Sequence, residues 1–229
     1  INVPELIRKT GCTVVEDNCE GLFGKYEDLP SGSKSMCSSM SFYGNKNITC
    51  GEGGAFVTDN EEVYEFAKKL RGQGQGKTRF IHEELGYNYR MTNIQAAILL
   101  SQLEYSDTIF EEKNRVFQRY IKNLNSFNKI RIQKVEEGTE HSNWMFGVWF
   151  DDLESYESAR AYFNSEGIDT RPMFYPYTVH KHLNLRGETR VSEIVNSKVV
   201  VFPSFPGLTN QQIDYITEKI KQFKDSKCS

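Results

Sequence analysis

A chain of 229 residues, 38% hydrophobic and 26% charged, carries enough apolar side chain for a sizeable core and reads as an ordinary globular protein. Its net charge of -3 and pI near 5.9 give no basic field for nucleic acid or an anionic membrane, and neither is an expected partner. No run approaches the roughly 18 apolar residues of a membrane span and no secretory start is present, which predicts a soluble, cytoplasmic location.

In chain order, residues 4–9 are predicted as a short helix, followed by the β-branched strand Thr13-Val14-Val15. That strand ends in Glu16-Asp17. A carboxylate at the carboxyl end of a buried strand is where α/β sheets present ligand-binding groups, which makes Asp17 a candidate site residue. Residues 39–43 and 55–58 read as short strands around the turn Gly51-Glu52-Gly53-Gly54, where glycine tolerates positive φ. Lys46 therefore falls on a constrained loop.

Asp59-Asn60 is expected to cap a helix with Glu61 and Glu62 in its first turn, apolar Val63, Phe66, Ala67 and Leu70, and Gly72 past its end. Thr92 and Gln95 form a capping box for a helix running toward Leu103. Its partner, residues 109–124, places Val116, Phe117, Tyr120 and Ile121 on one stripe. These long helices are expected to join two domains, residues 1–108 and 109–229. The second alternates strand 144–150, helix 155–166 closed by Gly167, strand 198–202, and a last helix from Thr209 with Gln212 as a second capping box. The polar tail from Lys224 to Ser229 has nothing apolar to dock it and is expected to fray.

Cys12, Cys19, Cys37, Cys50 and Cys228 are odd in number and contain no C-x-x-C pair, so neither a disulfide framework nor a zinc site is expected. Lys46 lies in Ser41-Phe42-Tyr43-Gly44-Asn45-Lys46-Asn47-Ile48-Thr49. A lone loop lysine is ordinarily solvated. In a partly desolvated site its ammonium form is disfavoured, which frees the amine to attack an aldehyde and form a Schiff base. Asp17 suits the pairing that a pyridine nitrogen needs to stay protonated, or alternatively a turn. Ser41 suits a phosphate contact, or alternatively its local backbone.

Four segments in order carry a family resemblance: Glu16-Asp17-Asn18-Cys19-Glu20, then Ser41 through Gly54, then Leu70-Arg71-Gly72-Gln73-Gly74, then Leu85-Gly86-Tyr87-Asn88-Tyr89-Arg90-Met91-Thr92-Asn93. It continues through Thr170-Arg171-Pro172-Met173-Phe174-Tyr175-Pro176 and Phe202-Pro203-Ser204-Phe205-Pro206-Gly207-Leu208-Thr209. Together they resemble the DegT/StrS nucleotide-sugar aminotransferases, and the Phe-Tyr-Gly-Asn-Lys wording resembles the perosamine synthase branch. The resemblance implies an α/β fold, that of a fold-type I transferase dependent on pyridoxal 5'-phosphate (PLP), with residues 1–108 as part of the PLP-binding large domain. Residues 109–229 would be a linker helix and the small carboxy-terminal α/β domain.

It further implies Lys46 as the catalytic Schiff-base lysine, Asp17 on the ring nitrogen, Ser41 on the phosphate, and Glu20 beside the ring or, alternatively, as an exposed carboxylate at a helix start. Asn88 would reach the phosphate of a neighbouring subunit's cofactor, which implies a homodimer. Arg171 and Tyr175 would lie near the nucleotide-sugar substrate or serve packing. The implied reaction moves an amino group from glutamate to a keto-sugar nucleotide in polysaccharide biosynthesis. Lys46 stands where the related sugar dehydratases carry histidine. Thr178 departs from the family's histidine after the Tyr-Pro step. Family members also begin well before Ile1, which leaves an alternative expectation: a non-catalytic fragment or interaction module that needs the missing amino-terminal part.

Overall fold

The computed structural model describes residues 2–185 and 187–226, and the chain divides into two compact units. The first comprises residues 1–110 and 135–144, and the second residues 111–134 and 145–229. Elements are numbered in chain order.

In the first unit, α1 (Val3–Thr10) begins where Asn2 accepts from the Glu5 amide at 3.0 Å and ends at Gly11 in the left-handed conformation. β1 (Val15–Asp17) pairs in parallel with β4 (Cys37–Ser41), which pairs antiparallel with β5 (Gly54–Val57), in the order β1-β4-β5. The strand predicted at Thr13–Val15 is thus displaced toward Asp17. It is also not buried: β1 has a single neighbour and Val15 is 63% exposed, because an edge strand leaves one side open. Likewise the strand expected at 39–43 sits two residues earlier. Phe42 leaves the ladder but stays tied to the loop, its amide donating to the Gly53 carbonyl at 2.8 Å.

Between β1 and β4 lie β2 (Lys25–Tyr26) and β3 (Leu29–Pro30), a tight antiparallel pair. A third strand, β7 (Thr139–Glu140), joins β2 from far along the chain, with Lys25 opposite Glu140 and Tyr26 opposite Thr139. α2 (Glu61–Arg71) is capped by Asn60, and α3 (Asn93–Glu104) by the Thr92–Gln95 box, in which the Gln95 amide donates to Thr92 Oγ1 at 3.3 Å. Neither helix buries a residue. The small core here is Phe42, Ile48 and Cys50, with Leu22, Phe23, Met40 and Ile109 packed on it.

The second unit contains most of α4 (Ser106–Leu124), β6 (Arg131–Ile132), β8 (Phe146–Trp149), α5 (Tyr156–Ser165), β9 (Arg171–Pro172), α6 (Arg190–Lys198), β10 (Val199–Phe202) and α7 (Asn210–Ser226). The sheet order is β6-β8-β10-β9, antiparallel throughout. The α4 stripe holds: Val116, Phe117 and Tyr120 are buried and Ile121 packs at the edge of the same cluster. Val148, Val200, Phe163, Ile213, Ile216 and Ile220 complete it, so sheet and helices share one core. α7 begins with the Thr209–Gln212 box.

The tail does not fray as far as Ser226. Lys224 is buried and pairs with Asp152 at 2.6 Å, Asp225 pairs with Lys129 at 2.6 Å, and α7 continues through both. The sequence lacked apolar groups there because long-range ion pairs hold it. Residues 227–229, with Cys228, lie outside the described residues, and Cys12, Cys19, Cys37 and Cys50 are free thiols. Among the described residues no helix is long and apolar enough to cross a membrane.

Lys113 of α4 is only 3% exposed and donates to the Ser204 carbonyl at 2.6 Å. Burial lowers its pKa from 10.5 to about 8. Between those values the unfolded chain binds the extra proton, so stability should rise as pH increases through that window and fall as pH drops back to about 8. Relative to Lys113→Met, the native chain is expected to gain on the order of 3 kcal/mol across it. Urea melts of both proteins at either end of the window test this, and a pH-independent difference would contradict it.

Candidate active site

The parallel register sets Asp17 opposite Ser39, at the carboxyl ends of β1 and β4. Ser39 Oγ donates to Asp17 Oδ1 at 3.4 Å and the Cys19 amide donates to the same oxygen at 3.1 Å, closing a turn after the strand. The Cys19 thiol first, then the Cys19 amide, Ser39 and the positive charge of Lys46 hold the Asp17 carboxyl below the usual carboxylate range. Asp17 is therefore an anion at neutral pH. Burial and the neighbouring carboxylate push the Cys19 thiol up. It stays a thiol rather than a thiolate.

The lysine loop leaves β4 at Ser41 and returns at β5. Phe42, Ile48 and Cys50 anchor it in the small core, the Cys50 amide donates to the Phe42 carbonyl at 3.0 Å, and Gly51 takes φ +85°. Within it the Lys46 amide donates to the Tyr43 carbonyl at 3.0 Å, a tight turn that fixes where the side chain departs. That side chain is only 11% exposed. Its Nζ lies 3.3 Å from Glu20 Oε1 and 3.8 Å from the centroid of the Trp144 ring. A covered amine between a carboxylate and an aromatic face is not the solvated lysine of an ordinary loop.

The structure thus brings Lys46, Glu20 and Asp17 to one place in the first unit. Ser41 borders it, its Oγ accepting from the Tyr43 amide at 3.3 Å and keeping its own proton to donate. Asn88 sits on an exposed segment bridged to Gly72, and among the described residues its side chain makes no hydrogen bond. Arg171, in β9, and Tyr175 are exposed residues of the second unit. Thr178, where the family pattern has histidine, shares a 3.2 Å hydrogen bond with Thr189.

Three residues of the cluster escaped the sequence reading. Cys19 and Ser39 flank Asp17 directly, and the parallel register, had it been predicted, would have found Ser39. Trp144 gave no local signal, because it reaches the lysine loop from about a hundred residues away, its indole N–H donating to the Asn45 carbonyl at 2.8 Å.

The residue set fits a PLP group. Lys46 offers an amine shielded from bulk water. Asp17 carries a stable negative charge with two donors on Oδ1. A carboxylate has about four lone-pair sites, so capacity remains for a protonated ring nitrogen. Ser41 offers a hydroxyl donor for an anion.

The family model described as the DegT/DnrJ/EryC1/StrS aminotransferase family matches residues 2–221. The GDP-perosamine synthase of Escherichia coli O157:H7 is 36% identical over 98% of this chain and 62% of its own length, and that of Vibrio cholerae is 31% identical over 96% and 61%. Among solved structures, Spr1654 of Streptococcus pneumoniae in its PLP-form superposes with a TM-score of 0.86 at 23% identity, over 95% of this chain and 59% of that one. That likeness shows that the chain shares its fold. The chain spans about three fifths of the length of the relatives it matches.

Proposed function

The chain belongs to the DegT/DnrJ/EryC1/StrS aminotransferase family, and on that premise we propose that it transfers an amino group from glutamate to a GDP-linked keto-sugar, with Lys46 as the catalytic lysine. The cofactor of this family is PLP. The observation that carries the reading is the covered Lys46 amine, 3.3 Å from Glu20 and electrostatically coupled to the Asp17 carboxylate. The three GDP-perosamine synthases among its relatives support the choice of a GDP-sugar.

PLP, when bound, supplies an aldehyde to hold an amine and a ring that accepts electrons. The residues here do the rest. Asp17 holds a proton at the pyridine nitrogen. Lys46 Nζ would hold the cofactor through its aldehyde and, when its amine is free, would take up and give back a proton as general base and acid. Glu20 orients that amine. Ser41 donates to the phosphate, and Asn88 does so across the interface of a homodimer. Arg171 and Tyr175 contact the sugar nucleotide. In this reading residues 1–108 form the cofactor domain, residues 109–229 the linker helix and small domain, and the enzyme works in the cytoplasm on a precursor of surface polysaccharide.

The test is the glutamate half-reaction. The purified chain with PLP and glutamate is expected to release 2-oxoglutarate, one per active site without the sugar and many with it. Bound PLP without 2-oxoglutarate would reject the catalytic reading in favour of the non-catalytic module. Asp17→Asn keeps shape and hydrogen-bonding capacity while removing the charge. It is expected to slow the half-reaction about 10²-fold or more, and an unchanged rate would remove Asp17 from the site.

A further inference from the structure

Three consecutive residues of the lysine loop are tied to a strap from the far end of the first unit. Asn45 accepts the Trp144 indole N–H at 2.8 Å, Lys46 Nζ lies 3.8 Å from the Trp144 ring centroid, and Asn47 Nδ2 donates to the Ser142 carbonyl at 2.7 Å. The strap itself is fixed. β7 pairs with β2, the Glu27 amide donates to the Gly138 carbonyl at 2.8 Å, and Lys25 pairs with Glu140 at 3.0 Å. Trp144 is therefore held rigidly on one side of the lysine, with Glu20 on another.

An ammonium on a flexible four-carbon stem ordinarily samples solvent. Here an aromatic face and a carboxylate both attract it, and both attractions act only while the amine is free and protonated. We propose that Trp144 is a positioning residue for Lys46: with Glu20 it forms a seat that holds the ε-ammonium near the reacting atoms whenever Lys46 is not joined to the cofactor. The proposal rests on the assignment of Lys46 as the cofactor lysine. It gives the strap a task in the reaction, since an amine that must return a proton works best if it does not swing away.

The test reads Lys46 directly, without turnover. The full chain free of PLP is acetylated with limiting acetic anhydride, and each lysine is quantified by mass spectrometry, with the exposed Lys34 and Lys77 as internal references. Trp144→Ala is expected to raise the labelling of Lys46 relative to Lys77 about fivefold. Trp144→Phe keeps a ring face, loses the bond to Asn45, and should stay within about twofold of the native ratio. Equal ratios in the native and alanine chains would overturn the seat. If Trp144→Ala does not fold, emission of Trp144 is measured in a Trp149→Phe chain. A shift on Lys46→Met supports the contact and identical spectra overturn it. A parallel trapping with PLP and borohydride separates the two claims. Lys46 labelled by PLP with no rise in acetylation leaves the cofactor reading standing without the seat. A rise with no PLP adduct at Lys46 overturns the cofactor reading, and the role of Trp144 falls with it.

Discussion

Lys46→Ala is expected to stop the release of 2-oxoglutarate from glutamate, with a loss of about 10³-fold or more. The size follows from the two tasks placed on one atom, a covalent hold on the aldehyde and the movement of a proton, neither of which a methyl group or an entering water replaces at the same position. Lys46→Arg sharpens the experiment. A guanidinium keeps the positive charge facing Glu20 and Trp144 but does not lose its proton in a protein, so it cannot condense with an aldehyde. It is expected to be as inactive as the alanine variant. Activity retained by the arginine variant would mean that charge, not nucleophilicity, is what this position supplies.

Phe163→Ala is expected to destabilise the second unit by about 3–5 kcal/mol. The ring is fully buried on α5 and meets Phe202 edge-on at 4.9 Å, Phe223 at 5.2 Å and Tyr162 at 5.2 Å. Truncation loses its transfer free energy and leaves a cavity walled by a strand and the closing helix, which cannot collapse without moving α7. Urea unfolding followed through Trp149, on β8 of the same unit, reports the change. A loss under about 1 kcal/mol would mean that the aromatic cluster is loosely packed.

How far the fold was legible depended on how local its causes are. The Thr92–Gln95 and Thr209–Gln212 boxes were read correctly because each is a reciprocal pair three residues apart. The α4 stripe was legible because its period is helical, and its burial followed. What failed was long-range. Nothing near Val15 indicated that β1 would lie at a sheet edge, and nothing near Lys224 pointed to Asp152. α6 was missed because Arg190–Lys198 has no capping box and buries no residue. Short strands such as β7 exist only through their partners.

At the candidate site the same division holds. Lys46, Asp17 and Glu20 were legible as neighbours in a motif, and the structure brings them together. Trp144 was not, because its only relation to Lys46 is spatial. A lysine can look ordinary in sequence and lie covered in the fold when the group covering it arrives from another part of the chain.

The most direct test of the cofactor site is to add PLP to the purified chain, reduce with borohydride, and locate the modified lysine by mass spectrometry. The account predicts one principal adduct, at Lys46, absent from Lys46→Ala. Modification spread over exposed lysines, with Lys46 unmodified, would contradict it.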